Sequence, residues 1–276
     1  MSTKKYRVTV AILLLIFVSG CAKNLAQEGN VDARKVPLSE IEKIALYAMM
    51  SSNAYLDSER TYFPIEDLGW VRVDLNGNPT EENSYSPSWI GKIFSNLQFD
   101  IWEHQTTNHT VISFKGTDEK IDWLTNFWIG PSVQYKSAKK HVREYKKNNM
   151  GRTVITTGHS LGGGLALSSS LWLGVDAYAY NSSPRVFDGW ADNKKQATRK
   201  AIYQENEVLS KVRSFWPKFN EVINESDIYQ TNFDFNDVSN HRADYLAEGL
   251  LRCAPAGSRL AKFAKELTPI KVKCNF

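Results

Sequence analysis

The chain has 276 residues, of which 42% are hydrophobic and 12% aromatic, enough apolar material for one sizeable core. With only 3 cysteines and no repeat, that composition excludes disordered, collagen-like and disulfide-dense scaffolds. The formal charge of +4 drops to +1 once the three cations Lys4, Lys5 and Arg7 are removed with residues 1–20, which hold no acid, so charge gives no argument for a nucleic-acid partner.

In chain order, Lys4, Lys5 and Arg7 precede an apolar run from Val8 to Val18, and Ser19-Gly20 supply small residues before Cys21. A cationic start, a short apolar stretch and a small-residue end mark a targeting segment. The run falls short of the roughly 20 apolar residues that a membrane span needs. The stretch Val18-Ser19-Gly20-Cys21 resembles the lipobox of bacterial lipoproteins. That resemblance implies acylation of Cys21 and attachment there to a bacterial membrane. Ala22 in place of aspartate implies sorting to the outer membrane. An ordinary signal peptide or an uncleaved anchor is the alternative. Residues 1–20 are therefore read as a lipoprotein signal peptide, 21–37 as a polar tether and 38–276 as a single domain.

Ser39 and Glu42 have the spacing of a capping box, and Ile41, Ile44, Ala45, Ala48 and Met49 follow at helical intervals. Residues 61–96 are turn-rich, with a tight turn at Asn76-Gly77. Gln98 to Glu103 and Thr110 to Lys115 read as paired strands about a turn at Thr106 to Asn108. A helix is predicted over Ser137 to Lys147, then a strand through Thr153-Val154-Ile155-Thr156 ending at Gly158. An apolar helix from Leu161 to Trp172, a strand from Val175 to Tyr180 and a weaker one at Ala201-Ile202-Tyr203 complete the alternation. Strand and helix in alternation predict an α/β fold with a mostly parallel central sheet flanked by helices.

Gly158-His159-Ser160-Leu161-Gly162 fits the G-x-S-x-G elbow, with a strand leading in and a helix leading out, as the motif requires. Serine there adopts a strained backbone, and side chains at 158 and 162 would collide with a neighbouring strand or helix. The turn lifts the Ser160 hydroxyl above the sheet, over the positive end of the following helix. Gly163 and Gly164 are expected to let that helix pack close to the sheet. An isolated elbow pentapeptide is also compatible with a plain glycine-rich turn; its flanking elements favour a nucleophile.

Gly158-His159-Ser160-Leu161-Gly162-Gly163 resembles the elbow of the class 3 (fungal-type) lipases, which are α/β-hydrolases. Val111-Ile112-Ser113-Phe114-Lys115-Gly116-Thr117-Asp118 with Ile121-Asp122-Trp123 resembles that family's strand and oxyanion-hole loop. Tyr178-Ala179-Tyr180-Asn181-Ser182-Ser183-Pro184-Arg185-Val186 resembles the strand after its elbow. The likeness spans roughly residues 40 to 245 and is strongest between 110 and 186. It implies an α/β-hydrolase that hydrolyses carboxylic esters of lipids through an acyl-serine intermediate.

Such chemistry needs donors aimed at a developing oxyanion. The elbow rule nominates the Leu161 amide, and the resemblance nominates Thr117 through its amide, with its hydroxyl as a second donor. A serine hydroxyl also needs a base. His104, His109 and His141 precede Ser160, and His159 lies within the elbow; the chain order serine, acid, histidine then leaves His241. Asn240-His241 with Asp244-Tyr245 resembles the family's histidine segment. Asn206-Glu207-Val208-Leu209 lines up with the family's Asn-Asp-Ile-Val stretch. That makes Glu207 the orienting acid in place of the usual aspartate, with Glu205, Asp227 and Asp237 as rivals.

Trp123, Leu124, Phe127, Trp128 and Ile129 suit either a lid facing lipid or ordinary core packing. Lys136, Lys140, Arg143 and Lys147 share one helix side, which suits a solvated face more than contact with anionic headgroups. Cys253 and Cys274 form a disulfide, or remain separate thiols. No metal-binding or phosphate-loop motif is present, so neither a metal nor another cofactor is expected. The expected partner is a lipid ester substrate, with phospholipid suggested by the membrane tether. A thioesterase, a soluble-ester esterase and a non-catalytic envelope lipoprotein that binds a partner are the competing readings.

Overall fold

Seven strands, β1 (Trp70–Val73), β2 (Phe99–His104), β3 (His109–Phe114), β4 (Thr153–His159), β5 (Asp176–Tyr180), β6 (Arg199–Gln204) and β7 (Ile228–Thr231), lie side by side in chain order. They belong to a computed structural model that describes residues 36–55, 60–88, 95–116, 131–187, 196–214, 221–233, 240–260 and 264. β1 to β3 pair antiparallel, and β3 to β7 pair parallel. The helices are α1 (Leu38–Asn53), α2 (Pro131–Asn148), α3 (Leu161–Leu173), α4 (Ser210–Ser214) and α5 (Ala243–Arg252). The result is the predicted α/β arrangement, a mostly parallel sheet with helices on both faces.

β4 demonstrates the two-sided burial. Its residues 154–159 are all buried, and the consecutive Thr156 and Thr157 reach opposite layers. The Thr157 hydroxyl donates to the Tyr47 carbonyl of α1 at 3.3 Å, whereas the Thr156 hydroxyl donates to the Ala166 carbonyl of α3 at 3.1 Å. Period-two alternation in a strand predicts this division. On the α1 side, Ile41, Ile44 and Ala48 pack with Leu246 and Leu250 of α5 against Val111, Ile155, Tyr178 and Ile202 of the sheet. Each such aliphatic side chain contributes roughly 1.5–3 kcal/mol when fully buried. On the other side α3 covers β3, β4 and β5, and α2 packs on α3. Tyr135, Ala138, Val142 and Tyr145 form the buried side of α2, opposite exposed Lys136, Lys140, Arg143 and Lys147.

Several local expectations need correction. Ser39 lies inside α1 rather than capping it: Pro37 is the N-cap, and no side-chain cap forms. Proline holds an extended φ of −65° there and delivers the chain into the helix one residue before the serine can act. The turn-rich region contains β1, a strand of only four residues between Gly69 and Asp74. Helix α2 begins at Pro131, six residues before its predicted start. β7 and α5 lie in segments for which the sequence predicts no element.

Candidate active site

The parallel strands β3 to β6 all point their carboxyl ends to one edge of the sheet, where open α/β folds place their ligands. Gly116 follows β3, Ser160 follows β4, Asn181 and Ser182 follow β5, and Glu207 follows β6. Ser160 sits between β4 and α3 with φ 58° and ψ −125°. For a residue with a Cβ this conformation costs on the order of 1–3 kcal/mol, so the surroundings must impose it. They do so through the backbone: the Ser160 amide donates to the Tyr180 carbonyl at 3.0 Å, and the Ser160 carbonyl accepts the Ser183 amide at 2.9 Å.

Close approach of backbones completes the elbow. A Cβ on Gly158 would lie 2.4 Å from the Gly162 carbonyl group, and one on Gly162 would lie 2.2 Å from the Phe114 carbonyl oxygen. The start of α3 is thereby wedged against β3 and β4. Gly164 plays a different part from the one expected. Its missing Cβ makes room for the Tyr135 hydroxyl of α2 and the Arg185 carbonyl, not for the sheet. A Cβ on Gly116 would meet the Tyr55 hydroxyl at 2.5 Å and the Ser160 Cβ at 3.1 Å, so the loop leaving β3 runs directly beside the serine.

Three of the residues singled out from the sequence meet at this edge. The Ser160 hydroxyl is 3.0 Å from His241 Nε2, and His241 Nδ1 is 2.6 Å from Glu207 Oε2. A carboxylate only accepts, so its pairing with Nδ1 puts the imidazole proton there and leaves Nε2 to accept from the serine. The Glu207 side chain is fully buried, and its Oε2 also accepts the Leu209 amide at 2.9 Å. Burial raises the Glu207 pKa, but the hydrogen bond from His241 and the charge of Arg213 outweigh it and hold the carboxyl below its usual range.

The rival acids lie elsewhere. Asp227 is 3.9 Å from Lys200, Glu205 is partly exposed, and Asp237 is outside the described residues. Of the other histidines, His104 packs on Trp70, His109 is exposed, and His141 packs against Tyr85 and Phe99. His159 is buried with its ring 4.7 Å from that of His241, and the Tyr55 hydroxyl is 3.0 Å from its Nδ1. Burial, and then the nearby His241 and Arg60, push the His159 pKa well down, which keeps the ring neutral.

Leu161 opens α3 beside the serine, where a helix's first amides have no partner within the helix. Thr117, residues 121–130, Cys21 and Cys274 lie outside the described residues. Cys253 is disulfide-bonded. No group of three or more metal-ligating side chains occurs among the described residues.

Sequence reasoning missed Arg213 and Asn181. Arg213 pairs with Glu207 Oε1, donates to the Ser182 carbonyl at 2.9 Å and lies 3.8 Å over the Tyr203 ring. Asn181, with φ 40°, is buried between the segments that carry Glu207 and His241. Neither has a local signature. The usable signal was indirect: a carboxylate expected in a dry site needs a nearby cation, and Arg213 follows it by six residues.

Such a chain of carboxylate, imidazole and hydroxyl can deprotonate the serine as it attacks a carbonyl carbon. Residues 46–215 match the phospholipase-like family described as the Tle-like phospholipase domain. The extracellular phospholipase A1 of Serratia liquefaciens is 36% identical over 76 residues, which cover 26% of this chain and 24% of that protein. The chain thus matches about a quarter of the length of that relative. Among solved structures, a lipase from Rhizopus microsporus var. chinensis has 16% identity and a TM-score of 0.49, covering 65% of this chain and 71% of its own. The Rhizomucor miehei lipase propeptide complex has 15% identity and a TM-score of 0.47, covering 67% and 66%.

Proposed function

The chain belongs to the phospholipase-like family of the Tle-like phospholipase domain, and on that premise we propose that it is a serine esterase hydrolysing the carboxylic esters of phospholipids. The observation that carries this reading is the unbroken hydrogen-bond chain from Ser160 through His241 to Glu207. His241 Nε2 takes the hydroxyl proton as Ser160 Oγ attacks the ester carbonyl carbon. The imidazolium then gives that proton to the departing alkoxide, leaving an acyl-serine. Water, deprotonated by the same nitrogen, attacks the acyl carbon and restores the serine. Glu207 holds the tautomer and orientation of the ring throughout. The Leu161 amide and Thr117 stabilise the oxyanion, each donor being worth about 2.7–4 kcal/mol of barrier.

The phospholipid preference draws on the family and on the Serratia relative's named activity. That relative is extracellular by name, and an envelope or secreted location suits a protein that carries the segment before Cys21. Acylation at Cys21 would retain it at the bacterial outer membrane. Incubation with vesicles of phosphatidylcholine or phosphatidylethanolamine and with emulsified triglyceride, followed by identification of released acids, tests the activity. Fatty acid released from phospholipid by wild type and not by Ser160→Ala is expected. Release from triglyceride alone would reassign the substrate, and no Ser160-dependent release from either would refute the reading.

A further inference from the structure

We propose that Arg213 is a positioning residue for this reaction, clamping the buried Glu207 carboxylate so that its other oxygen faces His241. The assignment rests on the acyl-serine reading above. A carboxylate without solvent contact loses several kcal/mol of hydration unless a charge or a set of donors replaces it. To act as the base the His241 imidazole must start neutral, and in that form it supplies no charge. Arg213, only 7% exposed, supplies it.

The geometry divides the work between the two carboxylate oxygens. Oε2 receives His241 Nδ1 at 2.6 Å and the Leu209 amide at 2.9 Å, while Oε1 receives Arg213 Nη2. Glutamate has one more torsion than the aspartate expected at this position, so a grip on Oε1 fixes where Oε2 points. Arg213 is itself held: Nη1 donates to the Ser182 carbonyl after β5, its own amide donates to the Leu209 carbonyl at 2.9 Å, and its plane covers the Tyr203 ring of β6. Three segments therefore set the guanidinium, and the guanidinium sets the acid.

Among the described residues, few charged and titratable groups surround the pair. His159 faces His241 from the end of β4 and is kept neutral by burial. Arg60 acts on His159 at longer range, and burial raises the Tyr203 phenol so that it stays protonated. Arg242 and Asp244, which follow His241, pair with each other at 2.9 Å. Removing the Arg213 cation therefore makes the first proton taken up by the Glu207–His241 pair bind more tightly, whichever of the two holds it. The pair must be unprotonated to act as base, so the acid limb of the rate profile moves to higher pH.

The test is the pH dependence of kcat/KM on p-nitrophenyl butyrate for the full chain, Arg213→Met and Arg213→Lys, each checked for native near-UV circular dichroism. The Met variant should shift the acid limb upward by about one pH unit. The Lys variant, keeping the charge without the fork, should leave the limb in place and lower kcat. A merely structural role would lower the amplitude in both without moving the limb, and an unmoved limb in folded Arg213→Met overturns the assignment. If the Met variant does not fold, Arg213→Gln, which also removes the charge, takes its place with the same upward shift expected, and an unmoved limb in folded Arg213→Gln overturns the assignment. Ser160→Ala separates the two claims, since activity that survives in it sinks the acyl-serine reading itself.

Discussion

Asn181 donates its Nδ2 to the carbonyl of Asn240 at 3.2 Å while its Oδ1 accepts the Gln204 amide at 2.7 Å. One buried side chain at the end of β5 thus ties the residue preceding His241 to the strand that leads to Glu207. Asn240 returns the link through its own Nδ2, 3.3 Å from the Glu205 carbonyl. The left-handed φ of 40° at Asn181 is one that asparagine tolerates better than most residues.

Asn181→Ala leaves the Gln204 amide and the Asn240 carbonyl without these partners. At about 1–3 kcal/mol per orphaned buried group, the variant should lose on the order of 2–6 kcal/mol in urea unfolding. Its kcat should fall at least about tenfold, because a misplacement near 1 Å in a positioned group costs up to about a hundredfold. Wild-type stability in Asn181→Ala would show the link to be dispensable.

Gly162→Ala puts a methyl group 2.2 Å from the Phe114 carbonyl oxygen, a contact that only backbone movement relieves. Activity should be abolished and unfolding shifted by several kcal/mol, as expected of severe overpacking. Gly151→Ala is the control, since nothing lies within 4 Å of its added Cβ. A stable, active Gly162→Ala would mean that α3 does not press on β3 as described.

How much was legible beforehand follows from how local each determinant is. The elbow lies within five consecutive residues, and β4 and α3 around it have strong periodicity, so Ser160 could be reached from sequence. His241 followed from chain order and similarity, although it is 81 residues away. Glu207 rested on similarity alone because acids abound in its segment. Asn181 and Arg213 act through contacts made only when β5, β6 and the later loops come together, and nothing in their neighbours announces that. Ser39 illustrates the opposite failure, in which a correct motif spacing is overridden by Pro37 two residues upstream. β1 was hidden because four residues carry too little alternation to stand out from the surrounding turns.

Asp100 gives a pH signature of the fold that is independent of the active site. It is fully buried, and burial raises its pKa from 3.8 to about 6, partly offset by Arg72 and by hydrogen bonds from Asn83 at 2.9 Å and Ser84 at 3.4 Å. Because the folded value lies above the unfolded one, the stabilisation from holding this proton is complete below about pH 4. It is lost as the pH rises through about 6. Unfolding free energies from pH 4 to 7 should therefore decline for wild type relative to Asp100→Asn. Parallel curves would contradict the shift.

Glu207→Gln tests stability and catalysis together. Loss of the anion leaves Arg213 buried without its counter-charge, a change that typically costs about 3–5 kcal/mol. It also presents His241 with an amide that can stabilise the wrong tautomer, which in comparable sites lowers kcat about ten-thousand-fold. Denaturant midpoints and ester hydrolysis measured on the same preparation should both fall. Unchanged turnover would return the acid role to another carboxylate.

The most direct measurement is covalent labelling with a fluorophosphonate, read by intact mass and peptide mapping. The account predicts one adduct on wild type, carried by Ser160, formed far more slowly in His241→Ala and absent from Ser160→Ala. A folded wild-type protein that takes no label, or an adduct that persists in Ser160→Ala, would contradict it.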